Sequence, residues 1–339
     1  MPVRVLTVDD SPFFLEILSG IVESAPDLVL VGSARDGREA IEKLLALSPD
    51  VITLDVEMPV MDGLSTLERI MQVRPTPVVM VSSHTRRSSA ATIRALKLGA
   101  SDFVTKPDSP LLDSYEAFRA TIVETVRAVA LSSGSQRATG PSSLAAAPFR
   151  GRHPRIVVVG ASTGGVQALT SIFNRLPAKP SATIVAVQHM PAIYAAELAR
   201  SLAETVRCPV RQPHDGDLIE PSTLYVAQGG LHLAVYGTTF RVSRDDPVNG
   251  HRPSIDVTMS AAARSYGAGV CGVLLTGIGH DGAQGIADIK DAGGRTIAQD
   301  EASCVVFGMP RAAVATGKVD QVLSLEDIGG EVAAMVGGR

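Results

Sequence analysis

The sequence predicts an α/β protein with two domains, each built around a mostly parallel β-sheet. Its 339 residues are more than one domain usually contains, and a hydrophobic share of 45% is ample for two packed cores. Short apolar, β-branched runs alternate with segments of helical period on both sides of one break. The break is rich in Ser, Ala, Gly and Pro and contains no Asp or Glu. We therefore predict a first domain over residues 1–130, a linker over 131–153 and a second domain over 154–339.

Five strands are predicted in the first domain, and each is a short apolar run. Ser11 and Pro12 favour a helix start, as an N-cap followed by a proline in the first turn. A helical segment at 114–129 closes the domain. The predicted strands span residues 3–8, 28–31, 51–54, 78–81 and 102–105. Strands that alternate with helices in this way indicate an open, doubly wound (βα)5 sheet.

Polar side chains stand at the carboxyl ends of these strands, where sheets of this class hold their ligands. They are Asp9, Asp10, Asp55, Ser82 and Lys106. Clustered carboxylates offer the oxygen ligands that Mg²⁺ prefers. One carboxylate could also accept a phosphoryl group, whose oxygens the lysine and the hydroxyl would hold. Any one of these side chains is more often a cap or a solvated strand end, but their recurrence at the strand ends is a strong signal of a site.

Residues 1–129 resemble the receiver domain of response regulators. The resemblance rests on Asp9-Asp10, on Asp55 with the Met-Pro and Asp-Gly pairs at 58–59 and 62–63, and on Ser82, Phe103 and Lys106-Pro107. It implies that Asp55 accepts a phosphoryl group from a histidine kinase. It also implies that Asp9, Asp10 and Asp55 hold Mg²⁺.

The same resemblance implies a conformational switch in the first domain. Ser82 matches the switch hydroxyl, Phe103 matches the switch aromatic, and Lys106 matches the lysine that contacts the phosphoryl group. Through these switch residues, phosphorylation of the first domain would control the activity of the second domain.

The second domain opens with a strand, a glycine turn and a helix. Residues 155–159 read as a buried strand, Gly160 and Gly164 bracket Ser162 in a G-x-S-x-G pattern, and 166–176 has helical spacing. This context raises a serine hydroxyl above a sheet as a nucleophile and leaves backbone N–H groups for an oxyanion. Two other interpretations compete: Ser162 is simply an N-cap, or the glycines form a dinucleotide site. The second is weakened because Ser162 stands where such a site needs its second glycine.

The remainder of the second domain is predicted to be α/β with one antiparallel region. Residues 208–244 contain short alternating runs between glycine turns, such as 223–227 and 232–236, and these predict antiparallel hairpins. The other predicted strands lie at 182–187, 269–275 and 295–298. The other predicted helices lie at 192–204, at 255–265, from the turn at 276–282 to residue 292, and at 325–336. The sequence thus indicates a mostly parallel sheet with an antiparallel hairpin.

Three polar residues in the second domain follow the carboxyl ends of predicted strands. They are Ser162, His189 and Asp281, and a parallel sheet would bring all three to one edge. A serine nucleophile needs a base within hydrogen-bond reach, and a carboxylate fixes the tautomer of a histidine base. The pattern therefore predicts nucleophile, base and acid in that order.

Other residues compete for these roles on sequence alone. His280 adjoins Asp281 and is a second candidate for the base, while Asp256 and Asp300 are alternatives for the acid. The other histidines are expected in the first domain, the linker or the surface of the hairpin region; they are His84, His153, His214, His232 and His251.

The bulk composition favours a cytoplasmic protein that binds neither nucleic acid nor membrane. A net charge of −4 gives no basic field, and residues 154–339 contain no basic run. No apolar run reaches 18 residues, and acidic residues come too early for a signal peptide. The cysteines number three and lack metal-ligand spacing, so we expect reduced, buried thiols.

Across nearly its whole length, the chain resembles the chemotaxis response-regulator protein-glutamate methylesterases. The second domain carries the motifs GASTGG at 160–165, QHMP at 188–191, HRPSID at 251–256, TGIGHDG at 276–282 and GMP at 308–310. The resemblance implies a catalytic triad of Ser162, His189 and Asp281. It places an oxyanion-hole N–H at Ile278, where the family often has methionine.

The resemblance implies a phosphorylation-regulated hydrolase that acts in sensory adaptation. The expected reaction is hydrolysis of γ-glutamyl methyl esters on the cytoplasmic helices of chemoreceptors, together with deamidation of some receptor glutamines. The expected phosphodonor is the chemotaxis histidine kinase, and the ester reaction is expected to need no cofactor. The alternative is a two-component regulator whose second domain binds nucleotide or DNA without catalysis.

Overall fold

The computed structural model describes residues 2–107, 112–135 and 154–337, which fold as two compact units, Met1–Arg137 and Ala138–Arg339. The last helix of the first unit continues to Ser135, beyond the predicted start of the linker at residue 131. The rest of the predicted linker lies outside the described residues. The domain boundaries that we drew from the sequence therefore stay a prediction.

The first unit contains one five-stranded sheet whose order is β2-β1-β3-β4-β5, with every pairing parallel. Its elements are β1 Val3–Val8, α1 Pro12–Glu23, β2 Leu28–Ala34, α2 Gly37–Leu47, β3 Val51–Asp55, α3 Gly63–Val73, β4 Val78–Ser82, α4 Arg86–Leu98, β5 Asp102–Thr105 and α5 Leu112–Ser135. Ser11 caps α1 as predicted, because its Oγ accepts a hydrogen bond from the Phe14 N–H. The predicted doubly wound fold is confirmed.

Strand β2 is longer than predicted. The prediction ended at residue 31, whereas the strand pairs with β1 as far as Ala34. Hydroxyl groups contribute to this extension, since Thr7 Oγ1 and Ser33 Oγ lie 2.8 Å apart across the two strands. A cross-strand side-chain contact of this kind has no local signal in the sequence.

The second unit contains a seven-stranded, entirely parallel sheet in the order β14-β13-β12-β6-β7-β9-β8 and a separate two-stranded hairpin, β10-β11. Its elements are β6 Ile156–Ala161, α6 Gly165–Phe173, β7 Thr183–Gln188, α7 Ala192–Ala203, β8 Val210–Arg211, β9 Leu224–Val226, β10 His232–Tyr236, β11 Thr239–Ser243, α8 Ile255–Tyr266, β12 Val270–Leu274, α9 Ala283–Asp291, β13 Arg295–Gln299, α10 Met309–Ala315, β14 Gln321–Leu323 and α11 Leu325–Val336.

One part of the predicted antiparallel region is wrong. The run at 223–227 forms β9, which pairs in parallel with β7 instead of entering a hairpin. All three residues of β9 are buried, as in a parallel strand that is covered on both faces. The glycine turns nearby favour a hairpin instead, which is why the sequence predicts an antiparallel partner. Strand β10 does enter an antiparallel hairpin, with β11 as its partner.

The order of the central strands creates one sheet edge suited to a site. Strand β6 lies between β12 and β7. After β6 the chain forms β7 on one side of it, and it later returns to form β12 on the other side. Open α/β sheets bind ligands beyond the carboxyl ends of strands at such a reversal. No helix among the described residues is long and apolar enough to cross a bilayer.

Candidate active site and phosphoacceptor site

The turn after β6 presents Ser162. The Gly165 N–H donates to the Ser162 carbonyl oxygen at 2.7 Å, which closes a tight turn before α6 begins. Gly164 adopts a left-handed conformation with φ of 76°, and a Cβ atom there would lie 2.5 Å from the Val305 side chain. Both conditions favour glycine, because side chains are costly in this conformation and the space is already filled. Ser162 itself is partly exposed.

The turn after β12 packs directly against the Ser162 turn. The Ser162 N–H donates to the Thr276 carbonyl oxygen at 3.0 Å, and Thr276 Oγ1 donates to the Thr163 carbonyl oxygen at 2.8 Å. A Cβ on Gly277 would lie 2.7 Å from Ser162 Cβ, so only glycine fits this approach. Ile278 follows immediately, and its turn therefore borders the candidate nucleophile.

His189 lies at the end of the neighbouring strand. Ala161 and Gln188 are register partners at the ends of β6 and β7, and the His189 N–H donates to the Ala161 carbonyl oxygen at 3.2 Å. The Gln188 side-chain amide donates to the carbonyl oxygens of Ser162 and His189, at 2.9 Å and 3.3 Å. Gln188 thus joins the two turns, a role that we did not predict from its place in the QHMP motif.

The imidazole of His189 is bonded to Asp281. His189 Nε2 lies 2.8 Å from Asp281 Oδ2, and the Asp281 side chain is only 1% exposed. His189 Nδ1 is buried and has no hydrogen-bond partner within the part of the chain that the structure describes. A neutral imidazole that donates through Nε2 keeps its lone pair on Nδ1. Nδ1 is therefore the nitrogen able to accept a proton.

Asp281 receives more hydrogen bonds than the one from His189. Its oxygens accept from Ser254 Oγ at 2.8 Å, from the Ile255 N–H at 2.7 Å and from Asn249 Nδ2 at 2.9 Å. Burial alone would raise the pKa of this carboxyl, but the hydrogen bonds from His189 and Asn249 hold the pKa below its usual range. Asp281 thus remains ionised beside the histidine.

His251 belongs to this cluster, which corrects its expected place on a surface loop. Its ring stacks on the His189 ring with 3.7 Å between centroids and 9° between planes. Burial, and then the neighbouring His189, lowers the pKa of His251 to about 4. A neutral histidine therefore covers one face of the candidate base. The Asn-Gly pair just before it was a turn signal that could have directed attention to this segment.

The competing candidates make other contacts, although Asp256 lies close to Asp281, whose Oδ1 accepts from the Asp256 N–H at 3.3 Å. His280 is exposed. Asp256 accepts from the Gly285 N–H at 2.7 Å and from Asn249 Nδ2 at 2.7 Å. Asp300 accepts from the N–H and Oγ of Ser303, as an ordinary loop cap. The geometry gives none of them the contact with His189 that Asp281 makes.

In the first unit, three carboxylates gather at the strand ends. Asp9, Asp10 and Asp55 each offer an oxygen within 4.8 Å of the others. Lys106 Nζ lies 2.7 Å from Asp9 Oδ2 and 3.0 Å from Asp55 Oδ2. Burial raises the pKa of Asp55 to about 6, and the charge of Asp9 adds to this while Lys106 opposes it. Three hard oxygen donors whose negative charge Lys106 only partly compensates fit Mg²⁺.

The other residues expected at the phosphoacceptor site lie on the adjoining strands. Ser82 is the last residue of β4, and its Oγ accepts from Thr92 Oγ1 at 2.8 Å. Phe103 lies on β5 and is half-buried. Lys106 Nζ also lies 4.5 Å from the centroid of the Phe14 ring, a cation–π contact that the sequence did not suggest.

Comparisons with known proteins match each of the two units to a known family. The family described as CheB methylesterase matches residues 157–332, and the response regulator receiver domain family matches residues 5–114. A protein from Symbiobacterium thermophilum named protein-glutamate methylesterase/protein-glutamine glutaminase is 43% identical over 99% of this chain and 98% of its own length. A relative of the same name from Bordetella parapertussis is 44% identical over the same shares of the two chains.

A solved structure supports the fold of the second unit. The crystal structure of the Thermotoga maritima CheB methylesterase catalytic domain matches with a TM-score of 0.53 and 37% sequence identity, and covers 54% of this chain and 99% of that one. The alternative of a non-catalytic output domain finds no support in these matches. The chain therefore belongs to the protein-glutamate methylesterase/protein-glutamine glutaminase family of chemotaxis enzymes, with a response-regulator receiver domain ahead of the methylesterase domain.

Proposed function

We propose that this enzyme hydrolyses γ-glutamyl methyl esters on the cytoplasmic helices of chemoreceptors through Ser162, His189 and Asp281, as part of sensory adaptation. The observation that carries the proposal is the state of His189. Its Nε2 is bonded to a buried carboxylate, its Nδ1 is unpartnered among the described residues, and its strand ends beside the strand of Ser162. The names of the full-length relatives supply the substrate class.

The reaction follows from this arrangement. His189 Nδ1 accepts the proton of Ser162 Oγ as this oxygen attacks the ester carbonyl, and Asp281 stabilises the imidazolium. The tetrahedral intermediate collapses, and the methoxy group takes the proton from His189 and leaves as methanol. Water then gives a proton to His189 and attacks the acyl-enzyme, which releases the glutamate carboxylate and restores Ser162. A glutamine side chain would react by the same steps with ammonia as leaving group.

The developing oxyanion needs donors that are already oriented. The turns after β6 and β12 pack together through Thr276 and Gly277, so the backbone of Ile278, which follows Gly277, lies close to the Ser162 turn. Fixed donors at this place stabilise the intermediate without reorganisation during the reaction. We assign the oxyanion hole to these two turns.

The receiver domain would control this reaction through Asp55. Asp9, Asp10 and Asp55 would hold Mg²⁺, which when bound neutralises the carboxylates and the incoming phosphoryl oxygens. Lys106 is already within 3.0 Å of Asp55 and would contact the phosphoryl group supplied by a histidine kinase. Ser82 and Phe103 would then respond as the switch residues, because the phosphoryl group adds negative charge at this edge.

Covalent labelling tests the assignment of the nucleophile. A fluorophosphonate should label the wild-type chain at Ser162, and Ser162→Ala should abolish both labelling and methanol release from methylated receptor, a loss of about 10⁴-fold or more. Ser181→Ala, which changes an exposed serine elsewhere in the second unit, is the matched control and should behave as wild type. Labelling that persists in Ser162→Ala would show that the nucleophile is elsewhere.

A further inference from the structure

A two-residue turn lies beside the proposed triad. Val248 and His251 exchange both backbone hydrogen bonds, at 3.1 Å and 3.0 Å. Between them, Asn249 and Gly250 are both left-handed, with φ of 55° and 79°. Two successive residues with positive φ define a type I′ turn, for which Asn-Gly is a favoured pair. The backbone of this turn therefore fixes where the side chains of Asn249 and His251 point.

Asn249 reaches two buried carboxylates with one amide nitrogen. Its Nδ2 lies 2.7 Å from Asp256 Oδ2 and 2.9 Å from Asp281 Oδ1. An amide nitrogen carries two N–H donors, so it gives one to each carboxylate and opposes their mutual repulsion. Asp256 is held from its other side by the Gly285 N–H. Asn249 thus ties Asp281 to the N-terminal turns of α8 and α9.

His251 supports the base instead of the acid. Its ring lies parallel to the His189 ring, at a centroid distance of 3.7 Å. The bond to Asp281 fixes one atom of the His189 ring but leaves rotation about that bond open. A flat ring against one face removes this freedom and thereby fixes the plane in which Nδ1 lies.

We propose that the turn from Val248 to His251 is a positioning element for ester hydrolysis, in which Asn249 orients Asp281 and His251 orients His189. Neither residue touches the reacting atoms in this role. The inference rests on the proposed function, because it assumes that His189 and Asp281 act on Ser162.

Steady-state kinetics of the full chain on methylated receptor tests the inference. Asn249→Gly keeps the left-handed backbone and removes the amide, and His251→Ala removes the stacked ring. Each should lower kcat by roughly 10- to 100-fold, as expected for a lost hydrogen bond to a charged group or a misdirected base, with KM within about twofold of wild type. The rate of fluorophosphonate labelling at Ser162 should fall in parallel. His251→Phe, which restores a flat ring, should recover most of the loss.

Two control variants match these changes away from the site. Ser222→Gly alters another left-handed residue, with φ of 58°, and removes its hydrogen bond to the Pro180 carbonyl oxygen. His214→Ala removes an exposed histidine. Both should keep the wild-type kcat and labelling rate.

The outcomes separate this inference from the proposed function. If the wild type is labelled at Ser162 and both Asn249→Gly and His251→Ala keep its kcat, the inference is wrong and the proposed function stands. A loss confined to KM, or a loss in His251→Ala that His251→Phe does not reverse, also overturns it. If Asn249→Gly loses the native thermal transition, Asn249→Asp is tested in its place. Asn249→Asp should lose at least as much activity as is expected of Asn249→Gly, because it puts a third carboxylate beside Asp256 and Asp281. A wild type that is not labelled removes both proposals.

Discussion

At the residue scale, the proposed site contains a carboxylate that stays ionised, Asp281, and a histidine that stays neutral, His251. Asp281 keeps its charge because the hydrogen bonds it accepts outweigh the cost of burial. His251 resists protonation because it is partly buried and because a proton there would repel a proton on His189. The proton accepted during the reaction is therefore confined to His189, which is bonded to Asp281.

This arrangement predicts how stability depends on pH. The pKa of His251 is about 4 in the folded chain and about 6.5 when unfolded, so the unfolded chain binds a proton more readily between these values. Stability is thus lost as the pH falls from about 6.5 to 4, and His251→Phe should remove this loss. The groups that act on His251 are His189, Asp281 and His280.

Calorimetry at a series of pH values measures this effect. As the pH falls from 6.5 to 4, the free energy of unfolding of His251→Phe should rise relative to that of wild type by about 1 to 2 kcal/mol. This value is smaller than the full pKa difference would give, because the His251 ring is partly exposed. His214→Phe, at an exposed position, should show no such rise. A constant difference between His251→Phe and wild type over this range would contradict the assignment of a neutral, partly buried His251.

At the scale of elements, the site depends on two turns that pack against each other, the Ser162 turn after β6 and the turn after β12 that contains Gly277. The Ser162 turn is sharp because Gly164 is left-handed, and it can pack against the β12 turn because Gly277 has no side chain. Each turn fills space that a side chain on the other would need. We therefore expect these glycines to be required for packing as well as for backbone conformation.

Substitution of Gly164 separates these two contributions. In Gly164→Ala the left-handed backbone costs about 1 kcal/mol, and contact with Val305 at 2.5 Å adds roughly 1 to 3 kcal/mol more. Gly317→Ala is the matched control, since Gly317 has a similar φ of 71° and open space around it, and it should lose only the first amount. Thermal unfolding measures both losses. Equal destabilisation by the two variants would show that packing against Val305 contributes nothing.

The sequence predicted those parts of the fold and of the candidate site whose signals are local. Buried apolar runs identified the central strands, and residues at their ends gave Ser162, His189 and Asp281. The turn carrying Asn249 and His251 was missed because its contacts lie up to 62 residues away in the chain, as from His251 back to His189. Strand β9 was misassigned because three buried residues do not distinguish a parallel from an antiparallel partner.

At the scale of the whole molecule, the chain joins two sheets that each carry a site at their carboxyl edge. The carboxylates of the first unit have no acyl-transfer chemistry to contribute, and the second unit contains the proposed triad. In the proposed function, control of the second unit by the first therefore acts through a conformational difference in the receiver that changes the activity of the catalytic unit.

Phosphorylation of Asp55 should raise ester hydrolysis by the full chain. Acetyl phosphate with Mg²⁺ supplies the phosphoryl group, and the expected increase is roughly 5- to 150-fold, the range of ordinary coupling between two sites. Asp55→Asn lacks the acceptor oxygen, so it should keep its basal rate and gain nothing, and a chain of residues 154–339 should be equally indifferent. Methanol release from methylated receptor, with and without the phosphodonor, measures all three. Asp10→Asn, which weakens the Mg²⁺ site while keeping Asp55, should respond only at higher Mg²⁺ concentration. An equal response from Asp55→Asn and wild type would place the control outside this carboxylate cluster.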